Sequence, residues 1–371
     1  MEAQRINVTR SSMPSIEEYT DEIRALFSSH MLTNAGVKHQ QLEEELTSFL
    51  DVDYVSLFVN GHSALEAIFE AMELGRGEVI TTPFSFISTA NAIARKGLTP
   101  VFADIDPFSY TLDPNLIEPL ISDKTVAIVP VHVYGNICDV DAIQAVAERN
   151  GLKVIYDAAH AFGETWKGRG IGSFGDASMF SFHATKVFNT IEGGAVTTSN
   201  RDLYSALNCC RNFGLAGPED AKYIGGNSKM NEFCAAMGLC NLRHVSREIS
   251  KRKAVASRYT ERLCDLPGVE VRHPQEGVIS NYAYYPVLFN PDVFGSTRDE
   301  VFDALEKINV GSRKYFYPLI TDFECYRDAY SSSETPVAKH VADNILTLPM
   351  YADLAVDDID RICDTIHHLA R

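Results

Sequence analysis

Between about residue 54 and residue 200 the apolar residues fall in short, near-continuous, β-branched runs: 54–59, 78–82, 100–105, 125–132, 153–157, 177–182 and 195–198. A strand covered on both faces reads this way, without the alternation of a half-exposed one. Between the runs, 63–74 and 140–150 carry apolar side chains at helical spacing, and Gly151 follows the second where a C-terminal cap belongs. Repeated strand–helix alternation predicts right-handed crossovers and an α/β fold built on a mainly parallel seven-stranded sheet flanked by helices. Near residue 245 the texture changes. Residues 245–263 read as one long charged helix, 269–272 and 284–288 as strands, 298–308 and 356–369 as helices. The expectation is a large domain, 1–245, that includes an N-terminal arm, and a smaller α+β domain, 246–371.

Composition narrows the function. The 371 residues include 33 Lys+Arg against 50 Asp+Glu, a net charge of −17, with 45% hydrophobic and 22% charged residues. That is ordinary globular composition. It disfavours nucleic-acid binding, which gathers phosphates with cationic side chains, yet allows a local cationic pocket for a small anionic substrate. No apolar run approaches the ~20 residues of a spanning helix, and the first ten residues lack the apolar stretch of a secretion signal. A cytoplasmic protein without membrane contact is expected. The eight cysteines form no CxxC pair and the 11 histidines no HExxH, so neither a disulfide framework nor a metal is expected.

Candidate chemistry gathers in three segments. Ser181-Phe182-His183-Ala184-Thr185-Lys186 ends a probable buried strand and leads into Glu192-Gly193-Gly194. A lysine in a tight, partly dry site loses affinity for its proton and becomes a Schiff-base nucleophile; by spacing alone a surface-loop lysine fits as well. Asp157 closes the run Val154-Ile155-Tyr156-Asp157. There it is either a helix N-cap or a buried carboxylate that needs a cation such as a protonated pyridine nitrogen. Asn60-Gly61-His62-Ser63 is a strand–turn–helix start. Its amides and Ser63 hydroxyl suit a phosphate, or Ser63 is an ordinary cap. Gly168-Arg169-Gly170-Ile171-Gly172 lacks the context of a dinucleotide loop. Taken together, the three segments suit pyridoxal phosphate: an aldehyde held by lysine, a ring nitrogen paired with carboxylate, a phosphate at a helix start.

Over nearly its full length the chain resembles the DegT/DnrJ/StrS group of nucleotide-sugar aminotransferases, which have the type I pyridoxal-phosphate aminotransferase fold. The likeness runs through Leu32-Thr33-Asn34, Asn60 to Leu65, Pro100-Val101-Phe102-Ala103-Asp104-Ile105-Asp106, Pro130-Val131-His132-Val133-Tyr134-Gly135, Asp157-Ala158-Ala159-His160, Gly172 to Ala177, Ser181 to Lys186, Glu192-Gly193-Gly194 and Asn227 to Glu232. The resemblance implies that Lys186 forms the Schiff base and moves the substrate proton, and that Asp157 holds the pyridinium nitrogen. It puts His160 beside the cofactor ring, Ser181 on the phosphate with Gly61, His62 and Ser63, and Phe86 stacked on the ring. It sends Asn227 to the phosphate of the other subunit's cofactor, which makes a homodimer with composite active sites.

The family usually has Gly-Thr where Gly61-His62 stands, so Ser63 has a hydroxyl to make good, and Lys229 stands where Arg is commoner. Ser312-Arg313-Lys314-Tyr315-Phe316-Tyr317-Pro318 fills the place of a substrate-side His-Tyr pair; it is an aromatic-rich strand end or a cationic lip for a sugar nucleotide. The resemblance implies transfer of an amino group from L-glutamate to a nucleotide-linked keto sugar. The preferred acceptor is dTDP-4-keto-6-deoxyglucose, for O-antigen or another surface polysaccharide, with Arg10, Lys229, Arg313, Lys314 and Tyr315 on the substrate. A 3-keto sugar is the alternative. A sugar dehydratase of the same fold has His at the lysine position, which Lys186 argues against, and a non-catalytic regulator would not need the Lys186–Asp157–Ser181 set.

Overall fold

The computed structural model describes residues 5–370. Seven strands form the central sheet: β1 Tyr54–Phe58, β2 Glu78–Thr81, β3 Thr99–Phe102, β4 Thr125–Ile128, β5 Lys153–Asp157, β6 Ala177–Ser181 and β7 Gly194–Thr198, in the order β1-β7-β6-β5-β4-β2-β3. All neighbours are parallel except β7, which runs antiparallel to both β1 and β6. The C-terminal ends of β1, β2, β5 and β6 therefore meet at one edge, where open α/β sheets bind ligands. The sheet is covered on both faces, and β7 is buried along its whole length.

The flanking helices are those their caps and periodicity call for. Helix α2 (Val37–Leu50), which follows α1 (Ile16–Ser29), buries Leu42, Leu46 and Leu50 at four-residue spacing. Helix α3 (Gly61–Ala71) is capped by Asn60, whose side chain accepts from the Ser63 amide. Helix α4 spans Ser88–Arg95. Helix α5 (Val140–Asn150) starts on Asp139 and ends on Gly151 in the left-handed region. Helix α6 (Arg201–Cys210) precedes α7 (Glu232–Leu263), whose 32 residues span about 48 Å.

Residue 245 lies inside α7, and the helix carries the chain between two cores. Val245 packs in the core beneath the large sheet, Val255 and Tyr259 in a second core. That second core belongs to a three-stranded antiparallel sheet, β8 Val269–Val271, β9 Tyr285–Phe289 and β10 Ile345–Leu348. Around it lie α8 (Arg298–Lys307), α9 (Pro336–Asn344) and α10 (Val356–His367). The N-terminal arm, assigned from sequence to the large domain, packs on this smaller one. Ile6 is buried in the second core and bridges Val310, and Val8 O accepts from the Met350 amide at 3.0 Å.

Candidate active site

At the converging strand ends lies a cavity of about 420 Å³, a size that suits a cofactor or small ligand. Asp157, the last residue of β5, is 5% exposed. Its Oδ2 accepts from Thr89 Oγ1 at 2.6 Å and its Oδ1 from the Ala159 amide at 3.1 Å. Ser181 ends the neighbouring strand. Lys186 follows on a turn closed by its amide to His183 O at 2.9 Å, and its Nζ lies 6.0 Å from the Tyr284 ring centre. Gly61 opens α3 against β6: a Cβ there would lie 2.9 Å from Met179 Sδ and 3.2 Å from Ser181 Cβ. The amides of Gly61 and His62 precede the first intrahelical bond, from the Ala64 amide to Asn60 O at 3.2 Å. Phe86 lines the cavity with a ring that is 57% exposed.

Burial sets the electrostatics. It lowers Lys186 to about 8, although Asp157 and Tyr315 favour the charged amine. It raises the Asp157 carboxyl, opposed by Thr89, the Ala159 amide and Lys186. It drives the His160 imidazole well below its ordinary range, helped by the charge of Lys186 and by His132. His160 is therefore neutral at neutral pH. Its Nδ1 accepts from the Tyr134 amide at 3.1 Å, which leaves the hydrogen on Nε2.

Of the residues expected from sequence, Gly61, His62, Phe86, Asp157, His160, Ser181, Lys186, Arg313 and Tyr315 line this cavity. The others do not. Ser63 gives its amide to Asn60 Oδ1 at 2.8 Å and lines a second cavity with Asn227. Lys229 bonds Asn212 Oδ1 at 2.7 Å and Asn227 Oδ1 at 3.0 Å. Arg10 is exposed, and its charge acts on Tyr351 and Asp353.

Lys314 does not line this cavity either. Its Nζ pairs with Asp299 Oδ1 at 2.7 Å on α8, whereas Arg313, Tyr315 and Phe316 line the cavity. Sequence reasoning also missed Thr89, Tyr284 and Thr9. Thr89 sits one position into α4, where hydroxyl residues usually serve as caps, so type and place carried no signal. Tyr284 read only as a strand start, while its ring lies 4.8 Å from that of His160.

The residues present fit pyridoxal phosphate. A desolvated amine, a buried carboxyl, a helix start where glycine leaves little room before Met179 and Ser181, and an uncovered aromatic ring share one cavity. Fold and site together define a pyridoxal-phosphate-dependent aminotransferase. The chain belongs to the DegT/DnrJ/EryC1/StrS aminotransferase family, whose profile matches residues 15–367. It is 41% identical over 364 residues to the dTDP-4-amino-4,6-dideoxy-D-glucose transaminase of Shigella dysenteriae, covering 98% of this chain and 99% of that one. Among solved structures it is similar to DesI, determined in the presence of its TDP-sugar product, with a TM-score of 0.94 and 35% identity over 98% of this chain and 93% of that one. The pyridoxal-phosphate form of Spr1654 from Streptococcus pneumoniae, a putative sugar aminotransferase, matches with a TM-score of 0.89 and 26% identity over 97% of each chain. The chain is thus a sugar aminotransferase. Among the described residues no helix is long and apolar enough to cross a membrane and no cluster could hold a metal.

Proposed function

We propose that this enzyme transfers the amino group of L-glutamate to C4 of dTDP-4-keto-6-deoxyglucose. The products are dTDP-4-amino-4,6-dideoxyglucose and 2-oxoglutarate, and the setting is cytoplasmic synthesis of a surface polysaccharide such as O-antigen. The observation that carries the chemistry is a Lys186 amine lowered to about 8 in the cavity that also holds the buried Asp157 carboxyl. The acceptor is supported by the 41% identity to a dTDP-4-amino-4,6-dideoxy-D-glucose transaminase.

When bound, pyridoxal phosphate supplies an aldehyde that carries the amino group and a ring that draws off electron density. Lys186 would hold it through Nζ, and the same amine would carry the proton at the substrate carbon. Asp157 keeps the ring nitrogen protonated by charge pairing. His160, with its Nε2–H, and Phe86 line the cavity and would flank the cofactor ring. The amides of Gly61 and His62 and the hydroxyl of Ser181 bind the phosphate. Arg313, exposed at the cavity beside Tyr315, meets the substrate diphosphate with its planar fork. Two subunits complete each site, with the partner subunit's Asn227 reaching the phosphate. In support, the loop that bears Asn227 exposes Phe213 and Ile224 at 53% and 85%, apolar surface that a second subunit would cover.

The test is incubation of the protein, pyridoxal phosphate and glutamate with a panel of nucleotide-linked 3- and 4-keto sugars, with product structure read by NMR. The expected product carries nitrogen at C4 of the dTDP sugar. Nitrogen at C3, or loss of a hydroxyl without amination, overturns the assignment.

A further inference from the structure

Glu164 is a buried carboxyl that this chemistry does not use. It is 1% exposed and lies four residues past His160. Its Oε1 accepts from the Asn281 amide at 2.9 Å and from Ser280 Oγ at 3.1 Å, while Oε2 has no partner among the described residues. Gly135, at φ +92°, passes so close that a Cβ would lie 2.8 Å from Glu164 Oε1 and 3.3 Å from His160 O. Asn281 is buried too, and its side chain turns back on the site. Its Nδ2 donates to His160 O at 2.8 Å and to Phe162 O at 3.0 Å, and its Oδ1 accepts from the Ala283 amide at 2.8 Å. Tyr284 follows, with its ring on His160 and near Lys186. Three separate segments meet on one carboxyl: the loop whose Tyr134 amide bonds His160 Nδ1, the turn 160–164, and residues 280–284 ahead of β9.

We propose that Glu164, acting through Asn281, is a positioning residue that fixes His160 in its Nε2–H orientation and seats Tyr284 against Lys186. The argument is one of satisfied polar groups. Asn281 can hold two carbonyls of the His160 turn only while its own amide has an acceptor, and that acceptor is Glu164. Without it a buried N–H is left unpaired, which is costly, and the 280–284 segment must shift to find another partner. Small shifts of groups at the reacting centre are expensive in rate. Burial raises Glu164 to about 8, against the Asn281 amide and the Ser280 hydroxyl, which lower it. At neutral pH it is the uncharged acid, and glutamine is its close isostere.

The proposal rests on the reading of His160 and Lys186 as cofactor-facing residues, so its test begins with a readout that needs no cofactor. In apo-protein labelled with ¹⁵N-histidine, the His160 signals are assigned by their loss in His160→Gln. Wild type and Glu164→Gln should show the Nε2–H tautomer at neutral pH. Glu164→Ala should show mixed tautomers, and its kcat should fall between about ten- and a hundredfold with little change in KM for the nucleotide sugar, while Glu164→Gln stays close to wild type. An unchanged His160 signature in Glu164→Ala, or equal loss in both variants, overturns the proposal. Should Glu164→Ala fail to fold, Asn281→Ser decides in its place: it must disturb the His160 tautomer, and an undisturbed one counts against the idea. A wild-type protein unable to take up pyridoxal phosphate would sink the proposed function and leave the tautomer measurement standing.

Discussion

Thr89 donates its hydroxyl hydrogen to Asp157 Oδ2 at 2.6 Å, while the Ala159 amide holds Oδ1 at 3.1 Å. This cavity-lining carboxyl is thus clamped at both oxygens, from the N-terminal turn of α4 and from the turn after β5. Thr89 is the foremost of the groups that pull the Asp157 carboxyl down against burial. Thr89→Val keeps the shape and removes a charge-assisted hydrogen bond of roughly 1.5–3 kcal/mol. Asp157 should then keep its proton to higher pH, and the single-turnover rate with glutamate should fall by about ten- to a hundredfold. Asp157→Asn should cost more, since it removes the charge itself. A Thr89→Val enzyme at wild-type rate would mean that Asp157 needs no such support.

Lys186 ties pH to both chemistry and stability. With the amine lowered to about 8, its neutral fraction rises about tenfold per pH unit below that value and levels off above it. Covalent uptake of pyridoxal phosphate by the apo-protein, trapped with borohydride, should follow the same curve. The stability effect has a definite sign. The folded value lies below the ordinary 10.5, so between about 8 and 10.5 the unfolded chain binds more protons and stability rises with pH. Denaturant midpoints of wild type minus Lys186→Met should show that rise. Lys186→Ala should abolish turnover while the fold survives, and retained turnover would refute its role.

Much of this was legible in the residues. The runs that became β1 to β7 are buried on both faces, which removes the alternation and leaves plain apolar text. Asp157 and Lys186 stood out by position, but spacing alone left one open as a helix cap and the other as a surface-loop lysine, and it was the family resemblance that implied their roles. The reversed direction of β7 was not legible, since a buried strand reads alike either way. That Arg313 and not Lys314 lines the cavity was not legible, since the sequence shows a cationic segment but not which of its side chains face inward. The placement of Thr89, Tyr284 and Glu164 depends on contacts across 68, 124 and 117 residues of chain, to Asp157, His160 and Asn281. Local pattern carries no record of these.

Arg313 and Lys314 make a test of that placement. Arg313 lines the cavity and bonds the Tyr315 hydroxyl, whereas Lys314 pairs with Asp299 on α8. Arg313→Ala should raise KM for the nucleotide sugar by about ten- to a hundredfold, the worth of a charge-assisted contact. The glutamate half-reaction should change far less, because the donor has no diphosphate. Lys314→Ala should leave both KM values near wild type and cost roughly 0.2–1 kcal/mol of stability, as a partly exposed ion pair does. The reverse pattern, with KM following Lys314, would place the substrate on the α8 side.

The position of Asn227 separates a self-contained site from a shared one. Within one chain Asn227 lines the cavity that holds Ser63 and Glu70, while Lys186 lines the other. Its Oδ1 accepts from Lys229 Nζ at 3.0 Å. If a two-fold dimer brings this loop to its neighbour's cofactor, a Lys186→Ala subunit paired with an Asn227→Ala subunit has one site with both defects and one with neither. Such a heterodimer should recover about half the wild-type rate, although each parent homodimer is impaired. If Asn227 served its own chain, every site in the heterodimer would carry one defect and nothing would be recovered. The measurement is activity after co-expression with two different affinity tags and purification through both, so that only mixed dimers are assayed. Recovery near half supports the composite site; activity no higher than that of the Asn227→Ala parent rules it out.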